Sequence, residues 1–162
     1  MSAERLRRRI RLWLAFFVAA LVASGLTAFP LELETRLLLQ ALHGSGLDAP
    51  ALIAWIARVH DALVDIGARY PFVAYGTDWL AFAHLMIALA FWGVFRDPVR
   101  NVWIVEWGML CCVGVVPLAL VCGPIRGIPF GWTLVDMAFG VFGIVPLAIL
   151  RRDIRRLQAA QA

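Results

Sequence analysis

Four long apolar stretches run along the chain, and short segments rich in arginine, glycine or proline separate them. A helix needs about 20 residues to cross the ~30 Å hydrocarbon layer of a bilayer, and each stretch approaches that length. Because lipid cannot satisfy backbone hydrogen bonds, spans of this kind are predicted to be α-helices. The predicted spans lie at about residues 12–29, 79–95, 102–121 and 132–150.

The segment 31–77, between the first two spans, has a different pattern that predicts two shorter helices. The first helix should end at Gly44 and Gly46, and the second should begin with Asp48 as its N-cap and Pro50 in its first turn. Five apolar residues share one face of the second helix: Leu52, Ile53, Ile56, Val59 and Leu63. Four charged residues share the opposite face: Arg58, Asp61, Asp65 and Arg69. We therefore expect an amphipathic segment at the outer membrane surface, since a fifth span would bury these charges.

Composition places residues 1–162 in a single membrane domain. Hydrophobic residues make up 62% of the sequence and charged residues 16%, whereas a soluble domain is about half apolar and a quarter charged. The mean hydropathy of +0.82 supports the same class. The predicted fold is an all-α integral membrane protein, a bundle of four transmembrane helices.

The distribution of charge predicts the topology. All 15 basic residues are arginines, and the net charge is +4. Most flank the spans, which indicates contact with lipid headgroups and argues against nucleic acid as a partner. Eleven lie before the first span, between the second and third, or after the fourth: Arg5, Arg7, Arg8, Arg9, Arg11, Arg96, Arg100, Arg151, Arg152, Arg155 and Arg156. Because such loops stay in the cytoplasm, we predict a multi-pass protein of a bacterial-type inner membrane with both termini cytoplasmic.

The N-terminal stretch also resembles a secretory signal peptide, because a basic segment precedes an apolar run. The run from Leu12 to Phe29 is long for a signal peptide and long enough to span a bilayer. We therefore expect a retained helix.

Cysteine and histidine spacing predicts no metal ion or other cofactor. Cys111, Cys112 and Cys122 lie in one apolar run without a CxxC motif, and buried thiols there behave as small apolar groups. Of the three histidines only His84 lies inside a predicted span, so a bis-histidine haem lacks its second ligand.

Polar residues at membrane depth are costly and indicate function by default. Four of them are predicted to share one layer near the outer surface, and we call Asp78, His84, Arg126 and Asp136 the outer polar cluster. His84 follows Asp78 by six residues, about 9 Å along a helix, and Asp136 follows Trp132 by four, about 6 Å. Arg126 lies in the stiff bend CGPIRGIPFGW. The cluster predicts a pocket in which His84 and Asp136 transfer protons while Arg126 and Asp78 bind a polar headgroup.

Aromatic residues beside this cluster would complete the pocket. Tyr75, Trp79 and Trp132 border it in sequence, and His60 lies at the edge of the apolar face of the amphipathic helix. Two simpler interpretations stay open. The aromatic rings would form an interfacial belt, and Arg126 would only fasten the bend to the neighbouring helices.

Glu106 is predicted to lie at the opposite end of the spans. It follows Arg100 by six residues, so a structural ion pair with Arg100 is the first expectation. Arg96, Arg151 and Arg152 are alternative partners at the same end.

Two main functions fit these features. The first is a binding site for an amphipathic small molecule, a lipid, an isoprenoid or a quinone, with acid–base catalysis left open. The second is a structural or assembly subunit that contacts a membrane-protein partner or a second copy, for which the small residues Gly140 and Gly143 would allow close helix packing. Transport is a weaker third hypothesis, because the sequence shows no inverted repeat.

Overall fold

The computed structural model describes residues 3–161, which contain helices and no strand. Seven α-helices follow one another in this range, with a short 3-10 helix at Pro71–Val73 between the third and fourth. They are α1 (Ala3–Thr27), α2 (Leu31–Gly44), α3 (Pro50–Arg69), α4 (Tyr75–Ala90), α5 (Trp92–Arg96), α6 (Val102–Ile125) and α7 (Phe130–Ala159).

Four helical stretches are long and apolar enough to cross a membrane: Ala3–Thr27, Pro71–Arg96, Val102–Ile125 and Phe130–Ala159. Only 11–28% of the residues in their most apolar windows are buried within the protein. An outward-facing apolar surface of this extent indicates a surrounding apolar phase. The all-α architecture with four candidate spans, and hence the multi-pass membrane class, agrees with the sequence analysis.

The helices extend beyond the predicted spans. α1 begins at Ala3 rather than near Leu12, and α7 continues to Ala159, well past Leu150. The reason is that a hydropathy pattern reports only the apolar part of a helix. Arginine is a good helix former, so each arginine-rich flank continues its helix.

The chain forms two compact units. The terminal unit comprises the described parts of Met1–Ala20 and Ile87–Ala162, and the central unit comprises Leu21–Met86.

The core of the terminal unit lies where the arginine-rich ends of α1 and α7 meet. α1 contributes Leu6, Ile10 and Leu14, spaced four residues apart on one helix face. Phe91, in the break between α4 and α5, is fully buried, and its ring lies 5.1 Å from that of Phe17. Six further core residues come from α5, α6 and α7: Val94, Val105, Leu147, Leu150, Ile154 and Leu157. These contacts bring the start of α1 and the end of α7 together.

Glycine allows α6 and α7 to approach closely. A Cβ atom on Gly140 would overlap the carbonyl oxygen of Cys112, and one on Gly143 would lie 3.1 Å from the Cys112 sulfur. This close approach agrees with the packing role expected for both glycines.

The central unit contains a hairpin of α2 and α3. As predicted, α2 ends at Gly44 and Pro50 stands in the first turn of α3. Gly46 has a φ of +68°, a left-handed conformation that suits the turn. The predicted cap is wrong: Ala49 occupies the N-cap and has no side-chain cap hydrogen bond. Asp48 precedes the N-cap by one residue, so its side chain makes no cap bond to the first turn.

Burial on α3 follows its predicted apolar face in part. Ile56 is buried, Ile53, Val59 and Leu63 are half-buried, and Leu52 is exposed. On the charged face, the Arg69 Nε lies 2.8 Å from the Asp65 carboxylate. This pair has the i, i+4 spacing expected on an exposed helix face.

Candidate functional site

The bend CGPIRGIPFGW is a regular helix termination. α6 ends at Ile125, Arg126 is its C-cap, and Gly127 follows with a φ of +67°. The Gly127 N–H donates to the Pro124 carbonyl (3.1 Å) and the Ile128 N–H donates to the Gly123 carbonyl (2.9 Å). These two bonds define a Schellman motif, which satisfies carbonyls that the end of a helix leaves unpaired. The stiffness of the bend therefore has a backbone cause.

Arg126 in this bend and Asp136 in α7 do not form the expected network. Arg126 is exposed, and neither side chain makes an ion pair or hydrogen bond with any residue of the described range 3–161. α7 begins at Phe130, so Asp136 lies about 9 Å into the helix, deeper than the spacing from Trp132 suggested. The residue that faces the bend is Thr133. Its side chain is buried, and its Oγ1 would lie 2.9 Å from a Cβ atom on Gly123.

Asp78 and His84 belong to the central unit, where each has a local environment of its own. Asp78 is half-buried in the first turn of α4. His84 is half-buried, and its Nδ1 donates to the Leu80 carbonyl at 2.9 Å, since a carbonyl can only accept. Gly25 of α1 packs against it, because a Cβ there would lie 2.9 Å from the His84 Cβ. This is the arrangement of a histidine satisfied by its own helix.

The other predicted lining residues are placed as follows. Tyr75 and Trp79 are exposed and pack edge to face, a preferred arrangement of aromatic pairs, with ring centroids 6.0 Å apart. Trp132 is half-buried near the start of α7. The His60 Nδ1 lies 3.0 Å from the Thr35 hydroxyl, so His60 faces α2 within the hairpin.

At the ends of α6 and α7 that are far from the bend lies a network of charged side chains, which also includes the start of α1. Asp153 of α7 is fully buried, and Arg9 of α1 donates to both of its carboxylate oxygens. The Arg152 Nε stands 3.7 Å from the same carboxylate. A buried carboxylate is costly unless it is paired and hydrogen-bonded, and this bidentate pair meets both conditions.

Glu106 has other partners than Arg100. Its Oε1 accepts from the Arg151 Nε at 2.9 Å and from the Arg155 Nη2 at 3.0 Å. Glu106 lies on the part of α6 that contacts the end of α7, whereas Arg100 lies in the turn before α6 begins at Val102. In that turn, the Arg100 backbone N–H donates to the Asp97 carboxylate at 3.0 Å.

Beside this network lies a groove of about 480 Å³. We call it the arginine groove and define it by its lining residues: Met109, Ala148, Arg151, Arg152, Arg155, Arg156 and Ala159. Met109 and Ala148 belong to the apolar parts of α6 and α7, whereas the arginines begin where the apolar run of α7 ends. The groove therefore joins an apolar floor to a cationic wall.

The sequence analysis treated these arginines as topology signals and named Arg151 and Arg152 as candidate partners of Glu106, but it did not consider a binding site here or the role of Asp153. The sequence RRDIRR nevertheless carried a signal of ion pairing, because it places one aspartate on a helix among four arginines. In addition, the i, i+4 spacing of Arg151 with Arg155 and of Arg152 with Arg156 places two pairs of guanidinium groups on successive turns.

Among residues 3–161, no group of three His, Cys, Asp or Glu side chains could hold a metal ion. No protein-family model, curated protein or solved structure matches the chain. Functional inference therefore depends on the geometry of the molecule itself.

Proposed function

We propose that this membrane protein binds an anionic amphipathic lipid, with the headgroup in the arginine groove and the acyl chains along α6 and α7. The observation that supports this is the lining of the groove, four arginines directly beside apolar residues. Planar guanidinium groups suit the bidentate recognition of phosphate oxygens. Met109 and Ala148 offer the adjoining apolar surface that a soluble anion would not need.

Charge balance around the groove also supports an anionic ligand. Glu106 and Asp153 are the two carboxylates in this network, and five arginines surround them: Arg9, Arg151, Arg152, Arg155 and Arg156. The excess is positive, and each basic residue near a membrane surface contributes about 1 kcal/mol to the attraction of anionic lipid.

The part of the outer polar cluster that lies in the terminal unit, Arg126 and Asp136, is a second candidate for the same function. Asp136 favours it, because this half-buried carboxylate has no hydrogen bond or ion pair within residues 3–161. In this version Asp136 would act on the ligand and Arg126 would bind its headgroup. We rank it second because Arg126 and Asp136 do not pair.

One titration separates the two sites. Purified protein in a non-ionic detergent is titrated with phosphatidylglycerol or phosphatidylcholine of identical acyl chains, and bound lipid is counted by native mass spectrometry. Arg156→Gln and Arg126→Gln form a matched pair, because both arginines are exposed and neither has an ion pair within the described chain.

We expect wild-type protein to prefer phosphatidylglycerol. Arg156→Gln should weaken its binding about fivefold while Arg126→Gln leaves it unchanged. The reverse result would move the site to the outer polar cluster. Equal binding of both lipids by all three proteins would contradict the proposal and favour the structural subunit.

A further inference from the structure

We propose that the arginine groove selects a phosphate monoester headgroup, which carries two negative charges, over a phosphodiester headgroup, which carries one. This inference rests on the proposed function, and it names the class of ligand that the groove would take.

The distribution of carboxylates among the groove arginines gives the first argument. Glu106 accepts from both Arg151 and Arg155, so these two guanidinium groups share one negative charge. Asp153 is held by Arg9 through both oxygens, which leaves Arg152 at 3.7 Å. Arg156 has no ion pair with any residue of the described range. Arg152 therefore only shares the charge of Asp153 with Arg9, and Arg156 has no carboxylate partner among the described residues.

The spacing of these two arginines gives the second argument. They are four residues apart, so their Cα atoms lie about 6 Å apart along α7 and their side chains share one face. A terminal phosphate has three oxygens, each able to accept hydrogen bonds, and two forked donors on adjacent turns can bind it together. A diester has two such oxygens and a single charge, so it leaves part of this pair unmatched.

The ligand itself provides a pH test. A phosphate monoester loses its second proton near about pH 6, whereas a phosphodiester keeps one charge throughout the neutral range. The titratable groups that line the groove are the four arginines, which stay protonated. Glu106 and Asp153 are the carboxylates that pair with these arginines. Any effect of those carboxylates acts on both lipids, so the ratio of the two affinities reports the second charge of the monoester.

The experiment offers wild-type protein an equimolar mixture of phosphatidate and phosphatidylglycerol of distinguishable acyl mass, again with native mass spectrometry. At about pH 7.5 we expect phosphatidate to be preferred about fivefold, and at about pH 5 we expect the preference to disappear. Arg152→Gln/Arg156→Gln should abolish the preference at the higher pH. Arg58→Gln/Arg126→Gln is the control, since both residues are exposed and lie outside the groove, and it should keep the preference.

Equal binding of the two lipids at the higher pH would overturn the inference and leave the proposed function standing. Absence of any lipid binding would instead reject the proposed function. Glycerol 3-phosphate is added as a soluble competitor, and we expect it not to displace phosphatidate at equal concentration. Displacement at equal concentration would show that the groove binds a soluble phosphate, and it would overturn the inference that the ligand is a lipid headgroup.

Discussion

At the scale of single residues, Asp153 is the most deeply buried charged group of the described chain. Its bidentate pair with Arg9 joins the start of α1 to the end of α7, although 144 positions separate the two residues in sequence. A buried ion pair is weak evidence for stability but fixes geometry. Here it fixes the end of α7 that carries the groove arginines.

Gly140 sets the distance between α6 and α7. Because a Cβ at this position would overlap the carbonyl oxygen of Cys112, Gly140→Ala should reduce the free energy of unfolding by about 1–3 kcal/mol. Thermal denaturation in one detergent, followed by the fluorescence of the seven tryptophans, measures the change.

Gly114 provides the matched control for this substitution. It lies in α6 with nothing within 4 Å of its Cβ position, so Gly114→Ala should be neutral or stabilising by up to about 1 kcal/mol. Equal effects of the two substitutions would show that the contact between α6 and α7 at Gly140 is not tight.

Sequence reasoning identified the polar residues within and beside the spans but did not find their partners. Glu106 was expected at the arginine-rich end, with Arg151 among its candidate partners. The contact with Arg151 depends on how α6 and α7 pack. Asp153 was missed because its burial depends on α1, which is distant in sequence. Pairing across helices is a tertiary property that spacing within one helix cannot supply.

At the scale of elements, the bend between α6 and α7 is specified by its backbone. Gly127 adopts a left-handed conformation and Pro129 precedes α7 as its N-cap residue. Together they stop one helix and start the next within five residues of Ile125. The stiffness seen in the sequence thus reflects a helix termination, and it does not require a bound ligand at Arg126.

Gly127→Ala tests this account of the bend. A side chain in the left-handed region costs roughly 1–2 kcal/mol, so the variant should lose about that much unfolding free energy in thermal denaturation. Gly131→Ala is the control, because Gly131 lies in the helical part of α7 with open space around it. A loss in Gly131→Ala as large as in Gly127→Ala would contradict the account.

Helix positions were the most predictable property of the chain. The length of the apolar runs located the four spans, Gly44 marked the end of α2, and Pro50 marked the start of α3. Each of these signals is local in sequence, so it does not depend on tertiary packing. The predicted cap at Asp48 was wrong because the helix starts one residue later than expected, and sequence patterns do not locate a helix start to a single residue. The extension of α7 past Leu150 was missed because hydropathy does not detect a charged helical flank.

At the scale of the whole molecule, polar and apolar residues are distributed as a membrane requires. Most exposed large hydrophobic residues lie in the four candidate spans, whereas the ion pairs of the terminal unit join the start of α1 and the start of α6 to the end of α7. The side of the membrane on which those ends lie is predicted from the arginine distribution alone.

Reporter fusions test this topology. Fusions after Ala162 and ahead of Met1 should report the cytoplasm, and an insertion at Ser45, in the turn after α2, should report the opposite side. If the reporters at both termini and at Ser45 all lay on the same side of the membrane, the result would contradict a topology in which the segment 31–77 lies outside.

The most direct test of the central claim locates the lipid on the chain. A phosphatidate analogue with a photoreactive group next to its headgroup is crosslinked in membranes, and the modified residues are identified by mass spectrometry. The account predicts adducts on the lining of the arginine groove, at Met109 and between Ala148 and Ala159. Adducts concentrated between Cys122 and Asp136, or spread evenly over the spans, would contradict it.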